Sequence, residues 1–383
     1  MTVTSPQGFR AAGVAAGIKE SGAPDVAVVI NDGPSAAAAG VFTANRVKAA
    51  PVLWSQQVLA GHTVRAVVLN SGGANACTGP AGFADTHRTA EHVADLLDVG
   101  AAEVAVCSTG LIGERLPVDL LLAGVTAAVN QASAQGGLAA ADAIRTTDTV
   151  PKTCVLHGTG YQIGGMAKGA AMLAPALATM LVVLTTDADP RPGDLDRALR
   201  TAVRSTFDRL DTDGCMSTND TVLLLASGAS GIVPDAGEFA ALLTDACADL
   251  AAQLLADAEG ASKEITIDVT GAATEDDAVQ VGRAVARCNL LKAAIAGEDP
   301  NWGRVLAAVG TTSAAFEPDQ LSVAINRVWV CKAGAPGEHR SAVDLRQRQV
   351  TITVELAAGE RAATIRTTDL TAEYVHLNSV YST

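Results

Sequence analysis

A chain of 383 residues with 49% hydrophobic and 18% charged residues is long enough to bury a large core and too apolar to remain disordered. Its 27 basic and 41 acidic residues give a net charge of -14, which argues against nucleic acid as a partner, because phosphate-backbone binding needs a concentrated basic surface. Aromatics make up only 3% while glycine occurs 36 times, so the expected core is Ala, Val and Leu with backbones in close approach.

The first residues, Met1 to Arg10, lack a charged start followed by an apolar stretch, so no secretory signal is expected and the cytoplasm is the expected location. Runs rich in β-branched residues and ending near Gly, Ser or Asn predict strands at 25–30, 65–69, 103–107, 180–184, 221–225, 265–269, 322–330 and 350–356. The longest apolar run, 172–184, contains Pro175 and Thr179 and is shorter than the roughly 20 residues that span a bilayer. It is expected inside protein, with no membrane partner.

Helical periodicity marks 195–210, where Leu195, Ala198, Leu199, Ala202, Val203, Phe207 and Leu210 step by three and four, and also 239–254 and 278–288. Thr274 and Asp277 supply a capping signal ahead of the last of these. Strands and helices mixed through the whole length imply an α/β fold, read as one composite layered domain over 1–383. Thr351, Thr353 and Glu355 alternate with Val350, Ile352, Val354 and Leu356, which suggests half-exposed antiparallel strands near the end.

Seven cysteines, an odd number scattered without a Cys-x-x-Cys, suggest neither a disulfide framework nor a zinc site. Cys107, Cys247, Cys288 and Cys331 lie in apolar stretches and read as small core residues. His87 and His92 are five apart, not the four that a metal pair on one helix face prefers, and no metal is expected. Neither a P-loop nor a Gly-x-Ser-x-Gly elbow occurs, and Gly158, Gly160 and Gly164 have the wrong spacing for a dinucleotide loop.

The most unusual stretch is 164–184, where a Gly- and Ala-rich segment and Pro175 feed into an apolar strand led by Thr179. By spacing alone, Thr179 is a β-branched residue starting a strand and bonding locally. A threonine hydroxyl becomes a nucleophile only beside a base, and an N-terminal threonine carries one in its own α-amine, with an unperturbed pKa of about 8. That alternative requires a cut between Ala178 and Thr179.

Residues 168–181 (Lys-Gly-Ala-Ala-Met-Leu-Ala-Pro-Ala-Leu-Ala-Thr-Met-Leu) closely resemble, without a gap, the self-cleavage motif of the ornithine acetyltransferase (glutamate N-acetyltransferase) family. The similarity runs nearly end to end, through Gly8–Val14, Val41–Arg46, Asn70–Gly79, Ser108–Gly113, Thr146–Thr149, Ser217–Val222, Glu259–Lys263, Asp299–Arg304 and Tyr374–Asn378. Gly73, Ala258 and Arg366 depart from the residues usual in that family, and none of them touches the nucleophile.

The resemblance implies an N-terminal-nucleophile-like layered α/β fold in a precursor that cuts itself between Ala178 and Thr179, giving an α chain 1–178 and a β chain 179–383 that assemble as two α and two β chains. It implies that Thr179 then carries acetyl from N2-acetylornithine to glutamate in ping-pong fashion, with Thr109 and Gly110 as the oxyanion donors. Thr147, Lys168, Thr179, Glu259, Asn378 and Thr383 are the implied substrate contacts. The ordinary reading of Ser108-Thr-Gly110 is a strand-ending turn, and of a lone Lys168 or Glu259 a solvated surface charge. No cofactor is implied, and whether acetyl-CoA serves as a second acetyl donor stays open. Two other readings also stay open: an N-terminal-nucleophile aminopeptidase or amidase that passes the acyl group to water, and an uncleaved small-molecule-binding homologue.

Overall fold

Strands buried on both faces carry the first part of the chain, and strands with one buried face carry the last. In the computed structural model, which describes residues 2–172 and 180–380, two units are distinguished: residues up to 208 together with 215–257, and residues 209–214 together with 258 onward.

The first unit holds two sheets. One has the order β1 (Phe9–Val14), β2 (Val26–Asn31), β4 (Ala66–Ser71) and β5 (Val104–Thr109); the other has the order β3 (Ala38–Phe42), β9 (Thr221–Ala226), β8 (Leu181–Thr186), β7 (Gln162–Lys168) and β6 (Lys152–His157). Every residue of β2, β4, β5, β8 and β9 is buried, as continuous apolar runs require when both faces are covered. Val29, Val67, Leu69 and Cys107 of the first sheet share one core with Met166, Leu181, Val183 and Leu223 of the second, so the sheets pack face to face. The outer face of the first sheet, with Val28, Val68 and Val106, is covered by α2 (Gly79–Leu97) and α3 (Val118–Gln131).

The outer face of the second sheet is covered by α5 (Pro192–Ser205) and α6 (Ala236–Ala256), which pack on β3, β6 and β7. The result is a helix–sheet–sheet–helix stack, the layered α/β arrangement expected, with α1 (Ala50–Leu59) and α4 (Gly137–Ala143) contributing Val58, Leu59 and Ala140 to the inter-sheet core. Helix α6 is long and apolar enough by length and composition to cross a membrane, yet Phe239, Leu243, Leu250 and Leu254 are buried against its neighbours.

The second unit is a six-stranded sheet in the order β13 (Ala335–Pro336), β12 (Val328–Lys332), β11 (Ser322–Ile325), β14 (Gln349–Glu355), β10 (Glu264–Ala272) and β15 (Arg361–Thr368). Its buried face, with Ile265, Ile267, Val269, Val350, Ile352 and Val354, meets α7 (Glu275–Ala286), α8 (Asn289–Ala296) and α9 (Trp302–Val309). A last helix, α10 (Ala372–Val380), begins where the Thr371 hydroxyl accepts the Tyr374 N–H at 3.0 Å and donates to the Gly260 carbonyl at 2.6 Å.

Three expectations need correction. The strand at 322–330 is a hairpin, because Asn326 and Arg327 both adopt positive φ (47° and 69°) and make a two-residue reversal between β11 and β12. The helix at 195–210 starts at Pro192 and stops at Ser205, where Thr206 leaves helical geometry, although Phe207 and Leu210 are buried as expected. Strand β14 has the expected alternating burial but pairs antiparallel with β11 and parallel with β10. The cap at α7 is as read: Thr274 accepts the Asp277 N–H at 3.0 Å.

Candidate functional site

Two strand ends meet inside the first unit. Strand β5 runs Val-Ala-Val-Cys-Ser-Thr entirely buried and ends on Thr109, and β7 ends on Lys168, so each strand ends on a polar side chain in the interior. Lys168 and Thr109 are each 1% exposed, and Lys168 Nζ donates to Thr109 Oγ1 at 3.1 Å. The surface-charge reading of Lys168 is thereby excluded.

The backbone around Thr109 is fixed from several sides. Its carbonyl accepts the N–H groups of Gly72 and Gly73 at 2.9 and 3.0 Å. Gly110 has φ +129°, and a Cβ there would lie 2.5 Å from the Gly73 nitrogen, so only glycine fits. Asn219 Nδ2 donates to the carbonyls of Ser108 and Ala74 at 2.8 and 2.6 Å, while Ser108 Oγ donates to Asn70 Oδ1 and Asn70 Nδ2 donates to the Gly73 carbonyl. Among the described residues nothing accepts the Thr109 hydroxyl hydrogen or the Gly110 N–H. Two adjacent donors are therefore left over at a strand-ending turn, which is what an oxyanion requires.

Two buried carboxylates flank Lys168. Asp148 Oδ1 accepts from the Gly169 N–H and from Lys152 Nζ, both at 2.6 Å, and its Oδ2 accepts the Thr146 N–H at 3.1 Å. Burial pushes the Asp148 carboxyl up, but the charges of Lys168 and Lys152 and the Gly169 N–H outweigh it and hold Asp148 down at about 2. Lys152 is itself fully buried and also bonds Asp257 Oδ2 at 2.6 Å. Thr147, half-buried, immediately precedes Asp148 in this turn.

Asp220 ends the loop before β9. It is fully buried, its Oδ1 accepts the Met180 N–H at 2.9 Å, and Ser217 lies close enough to help stabilise its charged form. Burial pushes its carboxyl well above the usual range, only partly opposed by the Met180 N–H and the Lys168 charge. Sequence reasoning assigned no role to Asp148, Lys152, Asn219 or Asp220. The available signals were Asp148 inside Thr146–Thr149 and an Asn-Asp pair directly ahead of an all-apolar strand.

In the second unit Glu259, half-buried, accepts from Asn378 Nδ2 at 3.0 Å, so two of the implied substrate residues are neighbours. Gly260 has φ +61°, and a Cβ there would lie 2.4 Å from the Tyr374 nitrogen; glycine is what lets α10 approach. Ala178, Thr179 and Thr383 lie outside the described residues.

Comparison with known proteins bears on the whole chain. The arginine biosynthesis bifunctional protein ArgJ of Streptomyces avermitilis is 68% identical over 382 residues, covering 100% of both chains. The protein of the same name from Thermobifida fusca is 67% identical over 383 residues, again covering 100% of both. A crystal structure of ornithine acetyltransferase from Mycobacterium tuberculosis complexed with ornithine is 66% identical, covers 45% of this chain and 94% of that one, and has a TM-score of 0.45. The ArgJ family matches residues 10–383. With a match of that extent and relatives this similar from end to end, the chain belongs to the ArgJ family.

Proposed function

We propose that this chain, an acyltransferase of arginine biosynthesis, moves acetyl from N2-acetylornithine to glutamate, giving ornithine and N-acetylglutamate, through an acetyl ester on Thr179. The observation that carries the reading is the pair of unclaimed donors, the Thr109 hydroxyl and the Gly110 N–H, beside Lys168, with which the 168–181 motif begins.

In self-cleavage the Thr179 hydroxyl attacks the Ala178 carbonyl carbon. The C–O bond forms, the C–N bond breaks with a proton taken up by the departing amine, and water hydrolyses the ester. In turnover the freed α-amine takes the hydroxyl proton as the oxygen attacks the acetyl carbonyl of N2-acetylornithine. Ornithine leaves with a proton on its amine, and the glutamate amine attacks the ester to regenerate the hydroxyl. Each attack places negative charge on a carbonyl oxygen, and preorganised donors at that oxygen are worth about 10²–10³ in rate.

Thr147, Lys168, Glu259, Asn378 and Thr383 are the proposed substrate contacts, with Glu259 as countercharge to the distant ammonium of ornithine. The relatives carry "bifunctional" in their names, and we include acetyl-CoA as a second acetyl donor, with no bound cofactor. The assembly is two α and two β chains. The location is the cytoplasm, a reading supported by seven free cysteines, which suit a reducing compartment.

The deciding experiment is intact-mass spectrometry of the wild type beside Thr179→Ala. Two wild-type chains, 1–178 and 179–383, with the variant intact at 38.7 kDa, are expected. A single full-length wild-type chain overturns the reading. An acceptor assay then decides between glutamate and water as the destination of the acetyl group.

A further inference from the structure

The Lys168–Thr109 hydrogen bond has a fixed direction. A lysine ammonium has three donors and no acceptor, whereas a hydroxyl has one hydrogen and two lone pairs. At 3.1 Å the hydrogen between them belongs to Nζ, and the single hydrogen of Thr109 must point away from Lys168. No described residue receives it, although the side chain is buried. The N–H of the next residue, Gly110, is equally unclaimed.

The backbone of this turn is already pinned, since the Thr109 carbonyl accepts two N–H groups and Gly110 has no room for a side chain. What remains free is the rotation of the Thr109 hydroxyl about its C–O bond, and Lys168 is the group that restricts it. A charged donor on Oγ1 also polarises the O–H bond and strengthens what it donates. Asp148, held by three hydrogen bonds in the same interior, supplies the negative charge that faces the Lys168 charge.

We propose that Lys168 is a positioning residue whose ammonium, by donating to Thr109 Oγ1, commits the Thr109 hydroxyl hydrogen to the oxyanion formed during acyl transfer. This rests on the reading of Thr109 and Gly110 as oxyanion donors, and it gives Lys168 a task that does not require contact with substrate.

The test is a kinetic double-mutant cycle with Lys168→Met, Thr109→Ala and the pair, measuring acetyl transfer from N2-acetylornithine to glutamate per cleaved chain, with the cleaved fraction read by mass. Thr109→Ala is expected to lower kcat about 10²–10³-fold. Lys168→Met is expected to lower kcat at least about tenfold, KM is expected to move less than about threefold in either single variant, and the pair is expected to be no slower than Thr109→Ala alone. A pair that loses the product of the two single effects overturns the proposal, as does Lys168→Met raising KM at unchanged kcat. If Thr109→Ala keeps full kcat, the oxyanion reading itself falls. Should Lys168→Met lose its melting transition or fail to cleave, Lys168→Gln takes its place in the cycle under the same criteria, and the self-cleavage rate by mass serves as the second readout.

Discussion

Asp220 Oδ1 accepts the backbone N–H of Met180 at 2.9 Å, and the Met180 carbonyl accepts the N–H of Thr221, the next residue after Asp220, at 3.0 Å. Met180 follows Thr179 in the chain, so its N–H belongs to the peptide bond on the C-terminal side of the proposed nucleophile. Asp220 and the first residue of β9 therefore hold both backbone polar groups of Met180, and Asp220 does so at the cost of a fully buried carboxyl.

Removing that acceptor leaves a buried N–H unpaired, which costs about 1–3 kcal/mol, and loosens the start of β8. Asp220→Ala is expected to lower the melting temperature and slow self-cleavage at least about tenfold, since small misplacements of a reacting group are expensive. Asp220→Asn keeps an oxygen acceptor and is expected to cleave nearly as the wild type does. Time-resolved mass spectrometry of the two variants checks this; equal cleavage by Asp220→Ala would show that the Met180 anchor is dispensable.

The two buried carboxyls near Lys168 should leave opposite marks on stability against pH. The folded-state value of Asp148, about 2, lies below the unfolded value of about 3.9, so its contribution is present above about pH 4 and lost as pH falls toward 2. That linked contribution is of the order of 2–3 kcal/mol. Asp220 is raised instead, so its contribution is present at low pH and lost as pH rises through its folded value. Calorimetry from pH 3 to 8 should find the gap between wild type and Asp148→Asn widest at neutral pH and narrowing in acid, and Asp220→Asn losing less stability than wild type on the alkaline side. A gap for Asp148→Asn that does not change with pH would mean that Asp148 is not an anion in the fold.

Gly110 and Gly113 offer a matched pair. Both have positive φ, +129° and +92°, but a Cβ at Gly110 would meet the Gly73 backbone at 2.5 Å whereas one at Gly113 meets nothing within 4 Å. Gly113→Ala carries only the left-handed backbone cost of about 1–2 kcal/mol and should retain activity. Gly110→Ala must displace the turn and its free N–H, so kcat should fall about 10²-fold or more. Equal kcat in the two variants would remove Gly110 from the oxyanion assignment.

How much of this could be read beforehand follows from which forces are local. The strands expected at 25–30, 65–69, 103–107 and 221–225 match β2, β4, β5 and β9 to within two residues at each end, because β-branched runs buried on both faces state their own structure. Strands β1, β3, β6 and β7 had no such signal. They are rich in Gly and Ala or carry lysines at their ends, and only the sheet around them makes them strands. Thr109 and Gly110 are named through a motif alone, and the structure adds that the Thr109 hydroxyl hydrogen and the Gly110 N–H have no acceptor among the described residues. The partners that give Lys168 its meaning are Thr109, 59 residues earlier, and the field of Asp148, 20 residues earlier. A buried lysine paired at such separations has no local signature, so a surface charge was the natural reading of the sequence alone.

Glu259 and Asn378 illustrate a contact that a motif names but does not explain. Asn378 lies on α10, which reaches Glu259 because Gly260 has no side chain in the way of Tyr374 and because Thr371 ties the helix start to the Gly260 carbonyl. The amide of Asn378 donates to Glu259 Oε2, leaving the carboxylate its other oxygen and its charge for a cation. If that cation is the side-chain ammonium of ornithine, Glu259→Lys places like charges together and should raise KM for N2-acetylornithine at least about tenfold while kcat changes less, the pattern of lost ground-state binding. Asn378→Ala leaves the carboxylate in place and should raise KM by a smaller factor. Initial-rate kinetics with N2-acetylornithine varied at saturating glutamate decides the matter, and an unchanged KM in Glu259→Lys would take Glu259 out of substrate recognition.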